Sequence, residues 1–112
     1  MATPAGLEIT DGGEPTQPIL ALAGELDLGT LGGLAGHVQG VLAPRPRSLV
    51  IDLTDLRFMD SSGLRLLIEL DERARREGWR LALIPSVHDS ANTVLRMTGA
   101  DTALPFELPP AA

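Results

Sequence analysis

Apolar positions follow two rhythms along this chain. Leu7-Glu8-Ile9-Thr10 alternates like a short strand, and Asp11-Gly12-Gly13-Glu14-Pro15 has the composition of a turn. Ile19-Leu20-Ala21-Leu22-Ala23 is a short apolar run between turn formers and predicts a buried strand, ending at Gly24-Glu25-Leu26-Asp27. The rhythm then changes to a helical one. Leu31, Ala35, Val38 and Leu42 share one face. Gly29, Gly33, Gly36 and Gly40 repeat the same spacing two residues out of phase and fall on the opposite face. Each interior glycine costs about 1 kcal/mol against alanine, so this helix depends on its apolar stripe.

Ala43-Pro44-Arg45-Pro46-Arg47 breaks the helix. Ser48-Leu49-Val50-Ile51-Asp52-Leu53 carries the strongest strand signal, and its near-continuous apolar character predicts a central strand covered on both faces. Leu64 to Gly78 carries the strongest helix signal. Leu64, Leu67, Ile68, Asp71 and Ala74 mark the inner face, and Gly78 suits a C-terminal cap. Trp79 to Ile84 predicts another strand, stopped by Pro85. Val87, Ala91, Val94 and Leu95 mark a further helix ending at Gly99, and Ala103 to Leu108 a last, edge strand containing Pro105. The order is β-β-α-β-α-β-α-β. It predicts one α/β domain over residues 7–108: a mixed sheet of about four to five strands flanked by about three helices. Residues 1–6 and 109–112 are expected as tails.

Composition narrows the function. The chain has 112 residues, room for one ordinary domain. It has no cysteine, which removes disulfides, thiolate metal sites and cysteine nucleophiles. A net charge of −6 suits nucleic acid poorly, because binding it requires a basic surface that displaces counterions. No apolar run approaches the roughly 20 residues of a membrane span, and the N-terminus lacks a signal-peptide pattern. The expected setting is cytoplasmic, with no membrane insertion.

Candidate chemistry concentrates where the Leu49–Leu56 stretch gives way to the next helix, at Asp60-Ser61-Ser62-Gly63. Ligands and partners meet sheets of this kind at such an edge. The plain reading is a helix cap, with Asp and Ser accepting hydrogen bonds from free backbone N–H groups. A capping segment still presents its hydroxyls, so the two roles coexist. A serine-hydrolase elbow needs glycine on both sides of the nucleophile. Met59 stands where the first would be, and the only bases on offer are the isolated His37 and His88. A phosphate-cradling loop would need several glycines and a lysine, and the chain has no lysine. Two histidines without clustered carboxylates make a poor metal site. No enzyme activity, catalytic residue, metal or cofactor is expected.

Gly24-Glu25-Leu26-Asp27, the Leu49–Leu56 strand, Phe58-Met59-Asp60-Ser61-Ser62-Gly63-Leu64 and the Met97-Thr98-Gly99 helix end resemble the STAS domain family, and more narrowly the bacterial anti-sigma factor antagonists. The resemblance implies partner switching. Such an antagonist binds an anti-sigma factor that is a serine kinase, frees the sigma factor, and is disabled when the kinase phosphorylates the serine after the motif aspartate. A serine phosphatase resets it. Carried onto this chain, Ser61 is the phosphorylated residue, and Asp27, Asp60, Ser61, Ser62, Gly63 and Arg65 form the partner-binding site. The alternative within the family is an interaction subunit that is not phosphorylated, serving a lipid-transport or stress-signalling complex. The resemblance also implies a helix after the last strand, where this sequence has only Pro109-Pro110-Ala111-Ala112.

Overall fold

The computed structural model describes residues 6–107. Of the tails expected at 1–6 and 109–112, residues 1–5 and 109–112 lie outside the described residues, as do Leu108 and any following helix. Gly6 is tied to the sheet, its carbonyl accepting the Glu25 amide at 3.0 Å.

Two strands, β1 (Leu7–Glu14) and β2 (Gln17–Leu26), open the chain. Then come α1 (Leu31–Leu42), β3 (Ser48–Met59), α2 (Ser61–Glu77), β4 (Arg80–Ile84), α3 (Asp89–Thr98) and a single turn, α4 (Ala100–Ala103). The sheet order is β1-β2-β3-β4. The first pair is antiparallel and the other two are parallel, joined by helical crossovers. Beyond β4 the chain adds one parallel bridge, Leu83 to Phe106. Its hydrogen bonds run from the Leu83 amide to the Pro105 carbonyl and from the Glu107 amide to the Leu83 carbonyl, at 3.0 and 2.7 Å. The last strand of the expected order is therefore one residue wide, consistent with Pro105 having no N–H to extend a ladder.

The first hairpin is longer than alternation suggested. Asp11, Gly12, Gly13 and Glu14 pair with Leu20, Ile19, Pro18 and Gln17, so the turn is Pro15-Thr16. Gly13 sits at φ 72°, and a Cβ there would lie 2.4 Å from the Gln17 carbonyl oxygen. Only glycine lets the strands close on each other at this point.

The core lies where the helices cover one face of the sheet. Leu20, Leu22, Leu49, Ile51, Leu53 and Leu83 are essentially inaccessible. Between them Val50, Asp52 and Thr54 are only half-buried. β3 is thus central in the order, as expected, but of the two faces expected to be covered one is buried and the other only half-buried. On α1 the buried seam is Leu34, Val38 and Leu42, with Leu31 and Ala35 half-buried at its margin. Gly32, Gly33, Gly36 and Gly40 look into open space. On α2 the buried residues are Gly63, Leu64, Leu67, Leu70 and Ala74, while Ile68 is exposed rather than internal. Leu70 is buried instead, on a crossover helix that meets α1 and α3 as well as the sheet.

Candidate functional site

Three connections leave the sheet at the C-terminal ends of the parallel strands: the β2–α1 loop, the β3–α2 junction and the β4–α3 turn. The middle one is the sharpest. Met59 ends β3, Asp60 turns in an extended conformation, and Ser61 begins the helix. One Asp60 carboxylate oxygen, Oδ1, accepts hydrogen bonds from the Ser62 amide at 2.9 Å, the Gly63 amide at 3.2 Å and the Ser62 hydroxyl at 2.5 Å. This is the expected helix cap, and it satisfies two N–H groups that the first turn would otherwise leave free. The Ser62 hydroxyl is the largest influence holding the Asp60 carboxyl below the usual carboxylate pKa. Burial opposes it as the next largest influence, and the Gly63, Ser62 and Leu28 amides each add a smaller lowering.

The β2–α1 loop is tied to this cap. The Asp60 amide donates to the Leu26 carbonyl at 3.2 Å, joining the ends of β2 and β3. Asp27 then forms a closed loop with Thr30. The Thr30 amide donates to Asp27 Oδ1 at 3.1 Å, the Asp27 amide donates to Thr30 Oγ1 at 3.0 Å, and that hydroxyl donates to the Glu25 carbonyl at 2.9 Å. Asp27 therefore shapes its own loop through hydrogen bonds.

Gly63 explains how closely the helix start approaches the strand ends. A Cβ at Gly63 would lie 2.8 Å from Leu26 Cγ and 2.9 Å from Met59 Cγ, closer than side chains pack. Gly63 is buried, and it serves the site from beneath. Ser61 is exposed at the first helical position, Ser62 is half-buried, and Arg65 is exposed one turn along. Neither histidine is hydrogen-bonded to Ser61. His37 contacts Asp11 at 2.7 Å, and His88 precedes α3, its amide held by Ser86 Oγ at 2.9 Å.

Two exposed apolar side chains lie on the segments that meet at the Asp60 cap. Leu28, in the loop whose amide faces Asp60, is 76% exposed, and Phe58, two residues before Asp60, is 41% exposed. Their signal was weak: a leucine between Asp27 and Gly29, and a phenylalanine at the far end of a strand. The β4–α3 turn also belongs to this edge. Ser86 Oγ donates to the Leu56 carbonyl at 2.6 Å, the Val87 amide donates to the Thr54 carbonyl at 3.2 Å, and the Ser90 hydroxyl donates to the Arg57 carbonyl. Among the described residues no group of His, Cys, Asp and Glu could hold a metal ion, and no helix is long and apolar enough to cross a membrane.

The arrangement offers a mixed surface on which the exposed Ser61 lies next to a cap already occupied by Asp60. The family model described as "Mlab, STAS domain" matches residues 9–108. The anti-sigma-F factor antagonist RsfB from two strains of Mycobacterium tuberculosis is 33% identical over 73 residues, which is 65% of this chain. The match spans 60% of the length of those curated relatives. The crystal structure of an anti-sigma factor antagonist from Mycobacterium paratuberculosis superposes with a TM-score of 0.80 at 24% identity, covering 98% of this chain and 92% of that one. The anti-sigma factor antagonist SpoIIAA, in its unphosphorylated form, superposes with a TM-score of 0.75 at 16% identity, covering 92% and 89%. At these identities the two structures show a shared fold.

Proposed function

This chain belongs to the STAS domain family, and on that premise we propose that it is an anti-sigma factor antagonist whose binding to an anti-sigma factor kinase is switched off by phosphorylation of Ser61. The observation that carries the reading is the division of labour at the α2 N-terminus. Asp60 already occupies the Ser62 and Gly63 amides, while Ser61 stands exposed beside it. The description of RsfB as an anti-sigma-F factor antagonist supports the same role.

The geometry gives the switch a mechanism. A phosphate adds about −1.5 to −2 charges. Helix N-termini ordinarily welcome such a group through their free amides and positive dipole end. Here the Asp60 carboxylate holds two of those amides. A phosphate on Ser61 then finds a neighbouring negative charge and presents its own charge outward. Arg65, one turn along, is the nearby cation on the same helix. The fold tolerates the modification, whereas a partner seated over Leu28, Phe58 and Ser61 has to desolvate it. That desolvation costs several kcal/mol unless the partner supplies a cation. In this reading a serine kinase writes the mark and a serine phosphatase removes it.

Incubation with ATP and lysate of the source organism, followed by peptide mass spectrometry, tests the modification. Phosphate on Ser61, absent from Ser61→Ala, is the expected result. The exposed Leu28 and Phe58 also support a second reading, because an apolar rim binds a partner without any phosphate. A clean negative, with a known antagonist modified in the same lysate, favours that reading: a constitutive interaction subunit of a lipid-transport or stress-signalling complex.

A further inference from the structure

At the end of α2 remote from Ser61, a cleft of about 690 Å³ opens between the C-terminal turns of α1 and α2 and the starts of β3 and β4. Arg45, Pro46, Arg47, Arg73, Glu77 and Trp79 supply most of its wall. Three of the chain's nine arginines stand here on a molecule of net charge −6, with one carboxylate among the lining residues. That carboxylate is already engaged. Glu77 accepts the Arg73 guanidinium at 3.0 Å and the Trp79 indole N–H at 2.9 Å, and Arg73 also donates to Gln39 at 2.7 Å. The hydrogen bonds from Trp79 and Arg73 hold the Glu77 carboxyl below its ordinary value against burial, with a smaller contribution from the charges of Arg73 and Arg76. By contrast, among the described residues the guanidinium groups of Arg45 and Arg47 have no carboxylate partner.

A structural duty for these two side chains is hard to find. The helix ends are closed by main-chain bonds: Ala43 to Gln39, Arg45 to Leu42, and Gly78 and Trp79 to Ala74. Arg47 is pinned by its backbone alone, its amide donating to Thr16 and its carbonyl accepting from Arg80. Arg45 lies at φ 57° and is the one non-glycine residue with positive φ among those described. Glycine takes that conformation without strain, yet the position carries an arginine.

We propose that the Arg45–Arg47 cleft is a second docking site, for an extended acidic peptide segment of a partner protein. Guanidinium groups pair with carboxylates in a two-point geometry, and the Trp79 ring provides an apolar wall beside them. The cleft is larger than one anionic group fills. It also receives the negative ends of two helices, which oppose a compact multiply charged ion more than carboxylates spread along a chain. The overall negative charge does not prevent this, because at physiological salt the Debye length is about 8 Å and local charge governs the contact. The 17 residues of α2 separate the cleft from Ser61 by about 25 Å, so both ends can be engaged together.

Fluorescence anisotropy with a labelled hexaglutamate peptide tests the assignment. The parent protein binds it, more weakly as salt is raised. Arg45→Gly with Arg47→Gln weakens binding by about fivefold or more, as the loss of two exposed ion pairs does. Arg57→Gln with Arg96→Gln makes the same change in charge elsewhere and leaves binding unchanged. Arg45→Gly relieves backbone strain, so the cleft variant remains folded. Ser61→Asp binds as the parent does, which keeps this result separate from the phosphorylation reading. Absence of binding by the parent overturns the proposal, as does equal weakening in both paired variants. So does inorganic phosphate that displaces the peptide at an equal concentration, which identifies a small-anion site instead.

Discussion

Ser62 donates twice to one oxygen of Asp60, from its amide at 2.9 Å and from its hydroxyl at 2.5 Å. The pair fixes the first turn of α2 and leaves Ser61 as the hydroxyl that faces outward. Cap and candidate switch thus occupy adjacent residues with separate duties, and substitutions should divide in the same way.

Asp60→Ala removes the cap. It should cost about 1 kcal/mol, within the range of 0.5–2 typical of N-caps. For a domain of this size that lowers Tm by about 4–8 °C. Asp60→Asn keeps an acceptor and should lose less, as thermal unfolding followed by circular dichroism will show.

The lowered Asp60 pKa has a pH consequence of fixed sign. The folded state favours the carboxylate, so the unfolded chain binds the proton more readily. The stabilisation is complete above the unfolded value, near 3.8. It is lost as pH falls below that value through the lower folded one. Denaturation midpoints from pH 6 downward should therefore fall less steeply for Asp60→Asn than for the parent near the acid end. Parallel curves would remove Asp60 from the acid response.

Gly63→Ala should destabilise by about 1–3 kcal/mol, the usual cost of overpacking, because its methyl group meets Leu26 and Met59 at under 3 Å. Urea midpoints report it. Partner binding should weaken along with stability, since the same contact seats the helix that carries Ser61.

Gly33→Ala with Gly36→Ala should do the opposite. Both positions are helical, exposed and open, so each alanine should add about 0.4–1 kcal/mol by restricting the unfolded chain. An unchanged partner affinity identifies the glycine face as a feature of composition. A weakened one makes it a contact surface.

Much of this architecture was legible because local chemistry and long-range packing agree. Asp60-Ser61-Ser62-Gly63 reads as a cap whatever surrounds it. Leu49, Ile51 and Leu53 read as strand because the centre of a sheet is where such a run belongs. The differences arise where a partner element decides. The extension of β1 to Glu14 rests on backbone pairing with β2, which leaves no side-chain rhythm. In α2, Ile68 and Leu70 are equally apolar, and only contact with other elements buries the second. In α1 the glycines dilute the pattern, so Leu34 went unmarked. Leu28 is exposed because the Asp27–Thr30 hydrogen bonds shape its loop, a constraint that periodicity does not express.

The central claim is that Ser61 controls affinity without controlling the fold. The most direct measurement is calorimetric titration of a candidate anti-sigma factor kinase with the parent protein, Ser61→Ala and Ser61→Asp, alongside their thermal unfolding. All three should unfold within the equivalent of about 0.5 kcal/mol, as exposed substitutions do. Ser61→Ala should bind like the parent, and Ser61→Asp should bind at least about tenfold more weakly, a difference of roughly 1.4 kcal/mol. Equal affinity for Ser61→Ala and Ser61→Asp, or a large loss of stability confined to Ser61→Asp, would contradict the account.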